Sequence, residues 1–270
     1  MPEWLETPSG AHVLAWEQRH LDAAVADLFG FHALQLGLPQ LDALRANRMP
    51  HRWLAVEQAT DDARLGAIEG SGEPMTPTLR CQFDALPFDA SSLDLVVMPH
   101  TLEHARDPHQ ALREVERVLM PEGRVLIVGF HAASLWGARQ RLGRWRRSLG
   151  VGPPRDLFLP TTGDFLAYRR LRDWLRLLSF EVESGRFGCY IPPFTSERWL
   201  SRFAWMERAG DRWWPVFGAL YYVVAVKRVR GMRLVGLVRD ASRPKAVAAK
   251  APVSAIHATP AADRDTIPSP

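Results

Sequence analysis

Lysine is nearly absent from this 270-residue chain: Lys227, Lys245 and Lys250 stand against 31 arginines among its 34 basic residues. The formal charge of +4 and the pI of about 9.4 would suit an anionic partner. So lopsided a ratio reads as coding bias, however, and the charge alone assigns no polyanion. Cysteine is as scarce. Cys81 and Cys189 are too few for a disulfide framework and lack the paired spacing of a zinc site. None of the nine histidines joins a metal constellation, so no metal is expected, and a reducing cytoplasm is. Long apolar runs are missing too. The longest, Pro215–Val226, has 12 residues, short of the roughly 20 that span a bilayer. The start Met1-Pro2-Glu3-Trp4 has neither the basic residues nor the apolar stretch of a signal peptide. Secretion and membrane insertion are therefore not expected. What remains is 47% apolar and 24% charged, the balance of a globular protein with material for one large α/β domain.

Along the chain, short β-type runs alternate with helical periodicity, the pattern of a parallel sheet with crossover helices. Strands are predicted at His32–Leu36, Trp53–Val56, Leu79–Phe83, Leu93–Met98 and Val125–Val128, the last following a Pro121-Glu122-Gly123 turn. Between the final two, Asp107 can cap a helix and Pro108 fits its first position. Leu112, Val115, Val118 and Leu119 share its apolar face. A later helix starting near Thr162 stripes Tyr168, Leu171, Leu175 and Leu178, and strands follow at Phe180–Val182 and Tyr221–Val226. From Asp240 to Pro270 there are nine alanines, five prolines and no aromatic residue, a composition that cannot offset its ordering entropy and is expected to be disordered. The domain is accordingly set at residues 1–239, with a core of about 31–228.

The 45 residues from Leu86 to Phe130, LPFDASSLDLVVMPHTLEHARDPHQALREVERVLMPEGRVLIVGF, closely resemble the class I S-adenosylmethionine-dependent methyltransferases of the small-molecule (type 11-like) group. The shared features are an acid (Asp84) before Leu86-Pro87-Phe88, a strand over Leu93–Val96, the Leu102-Glu103-His104 motif, and Arg117 to Gly123 before the fifth strand, with Glu122 in place of a glycine. The resemblance implies a Rossmann-like, doubly wound, seven-stranded sheet, mostly parallel with an antiparallel C-terminal strand. It also implies S-adenosyl-L-methionine as cofactor.

The cofactor loop departs from the family pattern. A Gly-x-Gly-x-Gly run after the first strand lets backbone approach ligand without a Cβ in the way. Here Gly37-Leu38-Pro39-Gln40-Leu41 keeps only the first glycine, Pro39 removes a donor, and Gln35 replaces the usual acid. Pro39 could still open the next helix. By resemblance, Gly37, Glu57, Asp84, Ala85, Leu86, Pro99 and His100 are the cofactor-binding positions. Glu57 would accept from ribose hydroxyls, Asp84 from the adenine amino group, and Pro99 and His100 would border the methyl group. His100 is also the candidate general base, while His104 orients its loop. The bland reading makes Glu57 and Asp84 ordinary acids at strand ends.

The acceptor side is expected in an insertion of about residues 131–165, opening with Ser134-Leu135-Trp136-Gly137, a run that recurs in relatives after the fifth strand. Arg139, Arg141, Arg144, Arg146 and Arg147 surround Leu142 and Trp145. One reading is a basic amphipathic helix for anionic lipid or nucleic acid. The favoured one is a solvated helix face whose few apolar residues lie on the core. Trp199, Trp205, Trp213 and Trp214 are expected to pack, or to line an apolar acceptor pocket or membrane-facing patch. The sequence thus points to a cytoplasmic methyltransferase acting on a small-molecule acceptor. The alternative is a binding or scaffold protein that keeps the fold but has lost cofactor affinity.

Overall fold

A helix that opens before any predicted strand sets the layout. In the computed structural model, which describes residues 2–57, 78–149, 158–160, 165–214 and 217–228, a short α1 (Pro2–Leu5) leads into α2 (Pro8–Val25). Thr7 accepts from the Gly10 amide and Pro8 takes the first turn, so this helix has a proper N-cap and a preset φ. Val13, Trp16, Glu17, Leu21 and Val25 form its buried stripe.

Seven strands follow: β1 (His32–Leu36), β2 (His51–Glu57), β3 (Leu79–Cys81), β4 (Leu93–Pro99), β5 (Leu119–Phe130), β6 (Phe180–Gly188) and β7 (Leu220–Lys227). They lie in the order β3-β2-β1-β4-β5-β7-β6, with β7 antiparallel to both its neighbours and the other pairs parallel. This is the doubly wound sheet with an antiparallel C-terminal strand that the sequence implies. Strand order reverses between β1 and β4, where Leu34 pairs with Val96 and Gln35 with Val97. Ligands of open α/β sheets sit at the carboxyl ends of the strands beside such a reversal.

Both faces of the sheet are covered, which explains the unbroken apolar runs in β4 and β5. One face packs Leu34, Val96, Met98, Val125 and Ile127 against α4 (Pro108–Val118) and α6 (Tyr168–Leu177). Asp107 caps α4 by accepting from the His109 and Gln110 amides, both at 3.0 Å. On the other face Ala33, Leu95, Val97 and Leu126 meet Leu21 and Val25 of α2 together with Leu41, Ala43 and Leu44.

That second face holds a correction. No helix joins β1 to β2; residues 38–50 run through turns, so Pro39 opens nothing. The reason is occupancy: α2 already covers the sheet there, and Leu41, Ala43 and Leu44 fill the remaining space as a buried loop. Asn47 holds the loop by donating to the Val25 carbonyl (2.8 Å) and accepting from the Met49 amide (2.9 Å). Other boundaries move less. β5 starts at Leu119 rather than Val125, with an irregularity that lets Leu93 pair with Leu119 but Leu95 with Arg124. Helix α6 begins at Tyr168, and Thr162 lies outside the described residues, as does the expected tail from residue 240. The described residues all belong to one unit, Met1–Arg230. The remaining helices are α3 (Thr101–His104), α5 (Leu135–Ser148), α7 (Glu197–Arg202) and α8 (Trp205–Trp213).

Candidate active site

The C-terminal strand ends bring several predicted residues together. Glu57 ends β2, opposite Cys81 of β3. Two residues beyond β3, Phe83 is buried and Asp84 half-buried. Glu57, Phe83 and Asp84 line a small cleft of ≈ 70 Å³, whose other wall is Ala105, Arg106 and Asp107 after α3. Gly37 stands on the far side of Phe83: it adopts φ +77°, and a Cβ there would lie 3.7 Å from the Phe83 ring and 3.6 Å from the Thr101 hydroxyl. One glycine, two carboxylates and an aromatic ring thus share one sheet edge.

Two predicted residues face elsewhere. Leu86 is buried in the main core; its amide donates to Glu114 at 2.9 Å and its carbonyl accepts from Arg117. Ala85 is exposed, with its amide turned back to the Gln82 carbonyl at 3.2 Å. Pro99, at the end of β4, is buried and pairs with Val128.

The loop after β1 is held from beneath by Gln35, which is fully buried. Its amide nitrogen donates to the carbonyls of Gly37 (3.1 Å), Leu38 (3.1 Å) and Leu41 (2.7 Å), while its oxygen accepts from the Ala43 amide at 2.9 Å. An acid could accept but not donate, so the change from acid to Gln35 goes together with a loop whose carbonyls, rather than amides, turn inward. Thr101 closes the reversal point: its hydroxyl donates to the Leu36 carbonyl across from β1.

His100 leaves β4 in the left-handed conformation, φ 54°, and its ring is buried between two carboxylates. Nε2 lies 2.6 Å from Glu17 of α2 and Nδ1 lies 3.0 Å from Glu103. Carboxylates only accept, so both ring nitrogens donate and the group is an imidazolium. Burial alone would lower its pKa; Glu17 and Glu103 override that and push it up to about 10. Neither ring nitrogen is left to take a proton from an acceptor. The second oxygen of Glu103 receives the Phe130 amide, and Gly129 must lack a Cβ because one would stand 2.9 Å from that oxygen and 2.8 Å from the Tyr221 hydroxyl. Glu17 Oε2 is buried without a partner among the described residues.

Glu17 was not among the residues singled out from sequence. Its signal is a charge at a core position of an amphipathic helix, flanked by Val13, Trp16 and Leu21. His104 is exposed at the end of α3. Among the described residues the fold also gathers metal-ligating atoms that the sequence does not suggest, from His12, Cys189 and Glu207, all within 4.8 Å of one another. There His12 and Glu207 already pair at 3.3 Å.

Comparison with known proteins agrees with this architecture. Residues 41–127 match the family model of the methyltransferase domain. A methyltransferase of Haloferax volcanii, solved in complex with the methyltransferase activator Trm112, superposes with TM-score 0.54 at 17% identity, covering 85% of this chain and 96% of that one. The S-adenosylmethionine-dependent methyltransferase of Mesorhizobium loti gives 0.50 at 16% identity over 78% and 97%. At such identities these two show a shared fold. Sheet order, motif block and the matched domain together show a methyltransferase domain over residues 41–127 set in the Rossmann-like fold of S-adenosylmethionine-dependent methyltransferases.

Two relatives add sequence-level likeness. Escherichia coli YafS, itself uncharacterised, is 26% identical over 246 residues, 90% of this chain and 87% of that protein. The ubiquinone/menaquinone biosynthesis C-methyltransferase UbiE of Hahella chejuensis is 47% identical over 47 residues, only 17% of this chain and 19% of that enzyme.

Proposed function

We propose that the protein transfers the methyl group of S-adenosyl-L-methionine to a small-molecule acceptor. The observation that carries this reading is the convergence of Glu57, Phe83 and Asp84 on one cleft at the C-terminal edge of the parallel strands. In it, Glu57 accepts from the ribose hydroxyls, Asp84 accepts from the adenine amino group, and Phe83 offers an apolar surface beside Gly37. Bound there, S-adenosylmethionine supplies a sulfonium-activated methyl group, so the protein's part is chiefly positioning. Leu86 and Ala85 shape the turn rather than touch ligand, and Pro99 forms the floor at the end of β4.

His100 takes a positioning role in place of the general base first considered. Its imidazolium locks α2 to the loop after β4, through Glu17 on one side and Glu103 on the other. A cytoplasmic setting, where both buried cysteines stay free thiols, belongs to the same reading.

The second reading is a binding protein of the same fold, and specific contacts favour it: Gln35 turns the loop carbonyls inward, and the Gly37 amide is engaged by the Ala55 carbonyl at 2.7 Å. Incubation with methyl-labelled S-adenosylmethionine and a mixture of polar and lipid-soluble metabolites separates the two. Label in a low-mass product, lost in Asp84→Ala, supports methyl transfer. A folded sample that retains no cofactor and labels no metabolite fraction supports the binding protein.

A further inference from the structure

The arginine-rich helix α5 does not present its apolar residues to the core as the favoured sequence reading expects. Its buried contacts come from Trp136, Gly137 and Gln140. Trp136 donates to the Ile191 carbonyl at 2.6 Å, and Gln140 exchanges hydrogen bonds with Leu159. Leu135, Leu142, Trp145 and the following Leu149 are instead 55%, 45%, 61% and 57% exposed. At helical pitch these four fall within an arc of about 80°, opposite the side that packs on the protein. Leaving this much apolar surface in water on the outward stripe of a helix is unfavourable unless something covers it.

Charge says what the cover is. Five arginines lie on α5, and no acidic residue stands between Glu122 and Asp156 in the chain. Arg139 braces the helix by donating to the Pro193 carbonyl and stacking 4.7 Å from the Phe158 ring, and Arg144 lies over Phe165 at 5.6 Å. Arg141 and Arg146 flank the exposed stripe on its two sides, where neither faces a carboxylate of its own helix. Trp199, Trp205, Trp213, Trp214 and Phe217 add a second set of exposed aromatic groups farther along the chain. Among the described residues no helix is long and apolar enough to cross a membrane, so the feature suits lying on a surface rather than spanning one.

We propose that α5 docks the protein on anionic lipid bilayers, with Leu135, Leu142, Trp145 and Leu149 entering the headgroup–acyl boundary and the arginines meeting lipid phosphates. Nucleic acid accounts for the arginines but gives an outward leucine–tryptophan stripe nothing to do. Helix α5 leaves from the C-terminal end of β5, the sheet edge that carries Gly37, Glu57 and Asp84, so docking turns that edge toward lipid. The inference rests on α5 alone and stands apart from the methyl-transfer reading.

The test is co-sedimentation of the full chain with vesicles of phosphatidylcholine alone or mixed with phosphatidylglycerol, at low and high salt, beside a fluorescent single-stranded RNA. The expected result is binding to the anionic vesicles only, weakened by salt. Arg141→Gln and Arg146→Gln each lower partitioning about five-fold, and Leu142→Ser with Trp145→Ser abolishes it. All four side chains are solvent-facing, so circular dichroism and melting temperature stay at the wild-type values. Equal binding to neutral vesicles, anionic binding indifferent to Leu142→Ser/Trp145→Ser, or binding to RNA alone would each overturn the proposal.

Discussion

Replacing His100 by Ala removes the one cation between two buried carboxylates. In the folded protein Glu17 and Glu103 are 0% and 4% exposed, and each gives an oxygen to the ring, at 2.6 and 3.0 Å. Without the imidazolium, Glu103 keeps the Phe130 amide, but Glu17 has no remaining partner among the described residues, since its other oxygen has none. Breaking a buried ion pair by deleting one partner costs about 3–5 kcal/mol. For a domain of this size that is a fall of about 6–20 °C in melting temperature. Urea unfolding at pH 7 and pH 5 provides the assay. The deficit of His100→Ala against wild type is expected at both pH values, since both lie well below the His100 pKa of about 10. A deficit below about 1 kcal/mol, well short of the buried-pair range, would refute the reasoning.

The wild-type protein carries the complementary pH dependence. A His100 pKa raised to about 10 gives a stabilising contribution that is complete below the unfolded value near 6.5 and is lost as pH rises through about 10; urea midpoints between pH 7 and 10 should fall, and less so in Glu17→Gln. Gln35→Glu should destabilise by about 3 kcal/mol or more, because a carboxylate would face the Gly37, Leu38 and Leu41 carbonyls; a chemical melt checks it. Glu122 adopts φ 65°, a conformation that favours glycine, so Glu122→Gly should gain about 0.5–1 kcal/mol, despite losing an exposed pair with Arg228.

The sequence-based account succeeds where one local rule suffices. Strands β1 and β4, helix α4 with its Asp107 cap, and the closing β6–β7 pair were legible because alternation, apolar runs and cap residues act over a few positions. The cleft was partly legible for the same reason: Glu57 and Asp84 each follow a recognisable strand end. The β1–β2 connection was not, because whether residues 38–50 form a helix depends on α2 already covering that face of the sheet. The partners of His100 were hidden too, since Glu17 lies 83 positions away and meets it only once the sheet is wound. For α5 the apolar Leu142 and Trp145 among the arginines were visible, but not which face would pack. That choice is made by Trp136 and Gln140 finding the Ile191 and Leu159 backbones.

The measurement that tests the central claim most directly is calorimetric titration of the folded full chain with S-adenosylmethionine and S-adenosylhomocysteine. Saturable one-to-one binding of both, weakened about ten-fold or more in Asp84→Ala, is the predicted result. No heat from either ligand in a sample that melts cooperatively would contradict it, and would leave the Gln35-braced loop as the mark of a fold that no longer holds the cofactor.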